Sequence, residues 1–169
     1  YEADETLLAE QTVSSKVGET TNAQPQQVPG FTPQGISQKR VEADNETIVE
    51  VKYNRNKVSL MFDTKGGTYI PTENGKYGMQ VDLDTKTPEK VGYSFAGWSR
   101  DENGSEPVSG TVAPTGAEKV YAQWNPVMVK YKVVYLQENA DNDEYSYAGT
   151  VELEELTDST VQATASTQK

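Results

Sequence analysis

Chemistry in this chain would have to come from carboxylates, hydroxyls and aromatic rings, because its 169 residues contain neither histidine nor cysteine. That removes the usual general base near neutral pH, the commonest metal ligand, thiolate catalysis, disulfides and Cys-based zinc sites. Asp141-Asn142-Asp143-Glu144 sets oxygen ligands at alternating positions, as a calcium loop begins. It lacks the glycine at the sixth place and the later bidentate glutamate, so it reads as a solvated acidic turn. Asp101-Glu102 and the trio Glu152, Glu154 and Glu155 are carboxylates of the kind glycosidases pair. A cleft needs more scaffold than segments this short supply, and they read as exposed charges that keep the protein soluble. Ser94, inside Gly92-Tyr93-Ser94-Phe95-Ala96-Gly97, sits in a run one residue too long for Gly-x-Ser-x-Gly and has no histidine to activate it. Gly66-Gly67 is not followed by Gly-Lys-Ser/Thr, so it reads as a turn and not a phosphate loop.

Aromatic rings offer a second kind of site, since their faces suit carbohydrate. Trp98, Trp124, Tyr93 and Tyr121 could form such a platform, but large aromatics dominate burial where aliphatics are few, and both tryptophans are expected in the core. The tyrosines expected to be exposed, Tyr1, Tyr69, Tyr145 and Tyr147, are the better ligand-contact candidates. No residue is assigned a catalytic, cofactor-binding or metal role. Asn45-Glu46-Thr47 and Asn103-Gly104-Ser105 match the N-glycosylation pattern and serve here only to mark turns.

These groups need elements to hold them, and the hydrophobic patterning is that of strands. Val58, Leu60 and Phe62 alternate against Ser59, Met61 and Asp63, with Asp63-Thr64-Lys65-Gly66-Gly67 as the closing turn. Tyr93, Phe95 and Gly97 are expected to face opposite to Ser94, Ala96 and Trp98. Arg100 to Gly104 reads as a polar turn, and Val120, Ala122 and Trp124 share one side of a closing strand. Upstream, Leu7, Leu8 and Val13 fit a helix while Leu8, Thr12 and Val13 suit the favoured strand, Val17-Gly18-Glu19-Thr20 reads as a turn, and Thr20 or Thr21 as the N-cap of a short helix that must end before Pro25. The Val28 to Pro33 loop carries Phe31. Residues 38–42 and 47–53 form a predicted hairpin around Ala43 to Glu46, its second arm placing Thr47, Val49, Val51 and Tyr53 on one face. The segment from Thr68 to Lys90 is expected to be loop-rich.

The chain also repeats itself. Val49-Glu50-Val51-Lys52-Tyr53 resembles Val127-Met128-Val129-Lys130-Tyr131, and Val17-Gly18-Glu19-Thr20-Thr21 resembles Leu156-Thr157-Asp158-Ser159-Thr160. Only Asn54-Arg55-Asn56 and Asn125-Pro126 stand between segments, which leaves little room for a flexible linker.

The blocks Phe62-Asp63-Thr64-Lys65-Gly66-Gly67, Pro88, Gly92 to Trp98 and Tyr121-Ala122-Gln123-Trp124 together resemble the Listeria-Bacteroides repeat, the internalin B B-repeat family. The flanks resemble more loosely the mucin-binding-protein (MucBP) repeats of Gram-positive surface proteins, through Val17-Gly18, Pro29-Gly30-Phe31 and Val49 to Tyr53, with Tyr131 to Asn139 similar to an opening strand.

These resemblances imply a mainly β or α+β chain of tandem small β-grasp-like (ubiquitin-like) modules arranged end to end. Its parts would be residues 1–55, a MucBP-like unit lacking its opening strand; residues 56–125, the B-repeat-like module; and residues 126–169, the opening part of a further unit. The implied setting is extracellular, on a bacterial cell surface or cell wall, in a non-enzymatic stalk or, alternatively, an adhesion module binding host glycan, mucin or protein. Implied partners are neighbouring repeat modules, and strand exchange between copies is a further expectation. A formal charge of -11 disfavours nucleic acid and anionic lipid. No apolar run approaches the roughly 20 residues of a membrane span. The start at Tyr1, with no signal pattern, suits a piece of a longer, processed protein.

Overall fold

The computed structural model describes residues 7–162. It is mainly β, with strands β1 (Phe31–Pro33), β2 (Tyr53–Arg55), β3 (Lys57–Asp63), β4 (Glu73–Lys76), β5 (Val81–Asp82), β6 (Tyr93–Ser99), β7 (Pro107–Val108), β8 (Thr111–Val112), β9 (Ala117–Pro126), β10 (Met128–Glu138) and β11 (Tyr145–Leu156). One turn of 3-10 helix, Leu83–Thr85, follows β5. The strands form a five-stranded sheet in the order β4-β3-β9-β6-β7 and three two-stranded sheets, β1-β2, β5-β8 and β10-β11.

The chain divides into two compact units that interleave in sequence. One takes in the residues up to Met61 with Pro71–Asp82 and Gly110–Lys119; the other takes in Phe62–Ile70, Leu83–Ser109 and the residues from Val120 onward. In the first unit β3 pairs antiparallel with β4, Leu60 opposite Glu73, and β5 pairs with β8, Val81 opposite Val112. The strict alternation of β3 is why Val58 and Leu60 are buried while Met61 is exposed. Val81 is buried in the same unit.

In the second unit β6 pairs antiparallel with β9 and β7, and its buried residues are Phe62, Leu83, Pro88, Trp98, Ser99, Val120 and Ala122. The expected alternation of β6 fails at one place. Phe95 opposes Trp124 and Gly97 opposes Gln123, so Ala96 is the extra residue of a β-bulge, next to Gly97 at φ +122°. The bulge returns Trp98 to the side of Phe95, and four rings meet edge to face in the series Phe62, Trp98, Phe95, Trp124, with successive centroids 5.2 to 5.6 Å apart. Trp98 is 4% exposed and Trp124 half-buried, and each indole N–H donates to a carbonyl, of Lys86 at 2.8 Å and Thr64 at 3.0 Å.

β10 and β11 form a long antiparallel ribbon, Met128 opposite Leu156 and Glu138 opposite Tyr145, with Ala148 skipped where the register shifts. The opening strand read at Tyr131 to Asn139 is therefore already paired along its length.

Several upstream expectations are corrected. Residues 7–16 carry no strand, and no helix follows Thr20, whose residue makes an isolated bridge to Arg40. The arm 38–42 takes residues 18–21 as its neighbour: Gly18 N–H donates to Val41 O and Thr21 N–H to Lys39 O, both at 2.8 Å. The turn at Ala43 to Asn45 forms, but residues 47–52 belong to no strand, although Lys52 O accepts from Gln34 N–H at 2.7 Å beside the β1-β2 pairing. Their alternation nevertheless survives, with Thr47, Val49, Val51 and Tyr53 half-buried and Ile48, Glu50 and Lys52 exposed. The region from Thr68 to Lys90 is loop-rich as expected, with β4, β5 and the helical turn set within it.

Candidate functional site

Dense hydrogen bonding holds the two short connections. At the first, within one unit, Asn56 N–H donates to Gly30 O at 2.8 Å, Tyr77 N–H donates to Asn56 O at 2.8 Å, and Arg55 Nη1 donates to Tyr77 O at 2.7 Å. Phe31 meets Tyr77 edge to face at 6.0 Å, and the Arg55 guanidinium lies 5.1 Å from the Phe31 ring centre. Gly30, at φ +80°, is needed there because a Cβ would run into the Tyr77 ring.

At the second connection, within the other unit, Val127 N–H donates to Gly92 O and Thr157 N–H to Val127 O, both at 3.0 Å. The Thr157 hydroxyl lies 2.6 Å from Gly92 O and 3.1 Å from Val127 O. The Tyr93 hydroxyl bonds the Asp158 carboxylate, which raises the phenol's pKa above its ordinary value, because ionisation would lose that bond and set two negative charges together. Lys90 Nζ stands 4.2 Å from the Tyr93 ring centre and 5.8 Å from that of Trp124.

The carboxylates singled out by sequence do structural work. Asp101 accepts from the Ser99 hydroxyl at 2.6 Å, the Ser105 hydroxyl at 2.8 Å and the Glu106 N–H at 2.7 Å. These donors, Ser99 foremost, hold its pKa well below the usual carboxylate range despite some desolvation. Glu152 and Glu154 pair across the ribbon with Lys132 at 3.0 Å and Lys130 at 3.8 Å. In the acidic turn, Asn142 Oδ1 accepts from Asn139 Nδ2 and from Glu144 N–H. Among the described residues no cluster of three or more acidic side chains is arranged to hold a metal ion.

Of the candidate contact tyrosines, Tyr145 and Tyr147 lie two residues apart on one face of β11, 64% and 68% exposed. Tyr69, 82% exposed, stands in the β3–β4 connection. Tyr1 lies outside the described residues. An open depression of about 330 Å³ is lined by Lys39, Arg40, Glu42, Asp44, Glu46, Thr47 and Ile48, all exposed except half-buried Thr47, and its charges of both signs select no particular ligand. Sequence reading picked out the two short connections, Asn54 to Asn56 and Asn125-Pro126, but not their hydrogen bonds to Gly30 and Gly92.

Among the described residues no helix is long and apolar enough to cross a membrane. Two proteins of Evansella cellulosilytica are similar to this chain. One, named "Putative membrane protein", is 29% identical over 100 residues, covering 59% of this chain and 15% of its own length. Another, named "Putative Gly-rich membrane protein", is 31% identical over 78 residues, covering 46% and 9%. The chain thus spans a small fraction of the relatives it matches. No solved structure matches it. Residues 59–123, which run from within β3 to within β9, match the family model of the Listeria-Bacteroides repeat domain, a repeat found in bacterial surface proteins.

Proposed function

We propose that this chain is a non-enzymatic tandem-repeat segment of a large bacterial cell-surface protein, a stiff spacer that projects a functional domain away from the cell. The supporting observation is the pair of hydrogen-bonded connections. Asn54 to Asn56 is held through Gly30, Arg55 and Tyr77, and Asn125 to Val127 through Gly92 and Thr157, so neither behaves as a free linker. In this reading residues 56–125 are a β-grasp-like B-repeat module, residues 1–55 a MucBP-like unit without its opening strand, and residues 126–169 the start of another. Neighbouring modules are the partners, and the location is extracellular.

Small-angle X-ray scattering tests this. The chain is expected to scatter as an extended, rigid particle, and four glycines inserted between Pro126 and Val127 are expected to convert it to a flexible ensemble. A flexible ensemble without the insertion defeats the reading.

A second reading, adhesion to host glycan or protein, draws on the exposed Tyr145 and Tyr147 sharing one ribbon face. Binding on a glycan array or to mucin that is lost in Tyr145→Ala/Tyr147→Ala favours it; a blank array and a blank mucin pull-down favour the spacer.

A further inference from the structure

The two short connections are one device built twice. Pairing of Phe31 with Arg55 sets Gly30 opposite Asn56, and pairing of Tyr93 with Pro126 sets Gly92 opposite Val127. On the far side, pairing of Lys57 with Lys76 sets Asn56 opposite Tyr77, and pairing of Met128 with Leu156 sets Val127 opposite Thr157. Asn56 and Val127 therefore each hold two partners. The N–H donates to the glycine carbonyl and the carbonyl accepts from the N–H of Tyr77 or Thr157, both bonds at 2.8 Å in the first connection and at 3.0 Å in the second.

The partners are tight turns in both cases. Val28 to Phe31 and Lys90 to Tyr93 each close with an N–H to carbonyl bond of 3.1 Å, and glycine stands third in each, at φ +80° and +82°. Tyr77 and Thr157 stand second in the turns Lys76 to Met79 and Leu156 to Ser159, closed at 2.8 and 3.1 Å, with Gly78 at φ +92° and Asp158 at +65° third. The facing turns touch. A Cβ on Gly30 would come within 2.2 Å of the Tyr77 ring, and one on Gly92 within 2.7 Å of the Thr157 hydroxyl. Apart from Gly30 and Gly92, the turns of one connection share no residue with those of the other, so the backbone arrangement recurs where the sequence does not.

We infer that this arrangement is a module-to-module joint, and that the neighbour it fits is a unit whose opening hairpin ends in a tight turn with a left-handed third residue. The inference rests on the tandem-unit reading above and adds a rule of order to it. The glycine turn belongs to the unit before the bridging residue and the second turn to the unit after it, because that residue has one N–H and one carbonyl to share between them.

Hydrogen exchange on the whole chain tests the joint. The Asn56, Tyr77, Val127 and Thr157 amides are all expected to exchange at least about tenfold more slowly than in the unfolded chain. Gly92→Ala is expected to speed Val127 and Thr157 while leaving Asn56 and Tyr77 slow, and Gly30→Ala to do the reverse. The decisive variant transplants one joint into the other. Val91, 98% exposed, occupies the place of Pro29, and Val91→Pro is expected to keep Val127 and Thr157 as slow as before or slower, since proline presets the second position of such a turn. Fast exchange of either bridging residue in the unaltered chain overturns the proposal, as does fast exchange of Val127 and Thr157 in Val91→Pro. A flexible scattering profile with all four amides slow defeats the stiff spacer and leaves the joint standing.

Discussion

Residues 57–126 and the ribbon of β10 and β11 are built from the same material, alternating strands rich in Val and Tyr, yet they reach different states of burial. Among the described residues every fully buried side chain falls between Val58 and Ala122, and none lies in the ribbon. The ribbon has the longer strands and a longer run of pairing than β6 with β9. Strand length and hydrogen bonding therefore do not make a core; a core needs a second surface to close against the apolar face. In one unit that closure is visible as the edge-to-face series from Phe62 to Trp124, with both indole N–H groups satisfied.

Breaking this contrast takes the largest effect first. Trp98→Ala empties a nearly closed site and removes the indole bond to Lys86 O, with an expected loss of about 3 to 5 kcal/mol in urea unfolding followed by Trp124 fluorescence. A similar truncation in the ribbon, Val133→Ala, is expected to cost less than half as much. Gly30→Ala forces a Cβ against Tyr77 at positive φ, and is expected to cost about 2 to 3 kcal/mol by the same measurement. Thr157→Val removes the hydroxyl beside Gly92 O and Val127 O, an expected loss of about 1 kcal/mol and a more flexible scattering profile.

Titration sharpens the picture at the turn. The Asp101 pKa is depressed in the folded state, so its contribution is present above the ordinary carboxylate value of about 4 and is lost as pH falls through the lower folded value. Thermal melts between pH 5 and 2 are expected to show a fall in stability that flattens in Asp101→Asn. Smallest of all, Lys132→Ala is expected to change stability by less than about 0.5 kcal/mol, because its 3.0 Å pair with Glu152 lies in solvent. A larger loss would show that the ribbon face is shielded after all.

The central strands were legible because a half-buried strand writes its faces into a period of two, as in Val58, Leu60 and Phe62. The face of Trp98 was not, because the bulge at Ala96 inserts a residue and reverses the parity downstream. Leu8 to Val13 reads as a strand by composition, but an extended segment becomes a strand only with a partner. Residues 38–42 likewise have the composition of a hairpin arm, yet their partner is 18–21 and not 47–51, a choice between two compatible segments that local pattern does not encode. The exposure of Tyr69, Tyr145 and Tyr147 followed expectation. The connections through Thr157 and Tyr93 did not appear in the reading, since they join residues 65 positions apart.

By itself the sequence determined the class of the protein: mainly β, without histidine or cysteine chemistry, carrying a recognisable Listeria-Bacteroides repeat between residues 59 and 123. Composition and two-residue periodicity are local properties, and they survive any packing. Only the tertiary structure decided which strands found partners, where the bulge turned Trp98 inward, and how Gly30 and Gly92 are held against Tyr77 and Thr157. Those outcomes depend on distant backbone groups competing for the same hydrogen bonds and on rings filling the space left between strands.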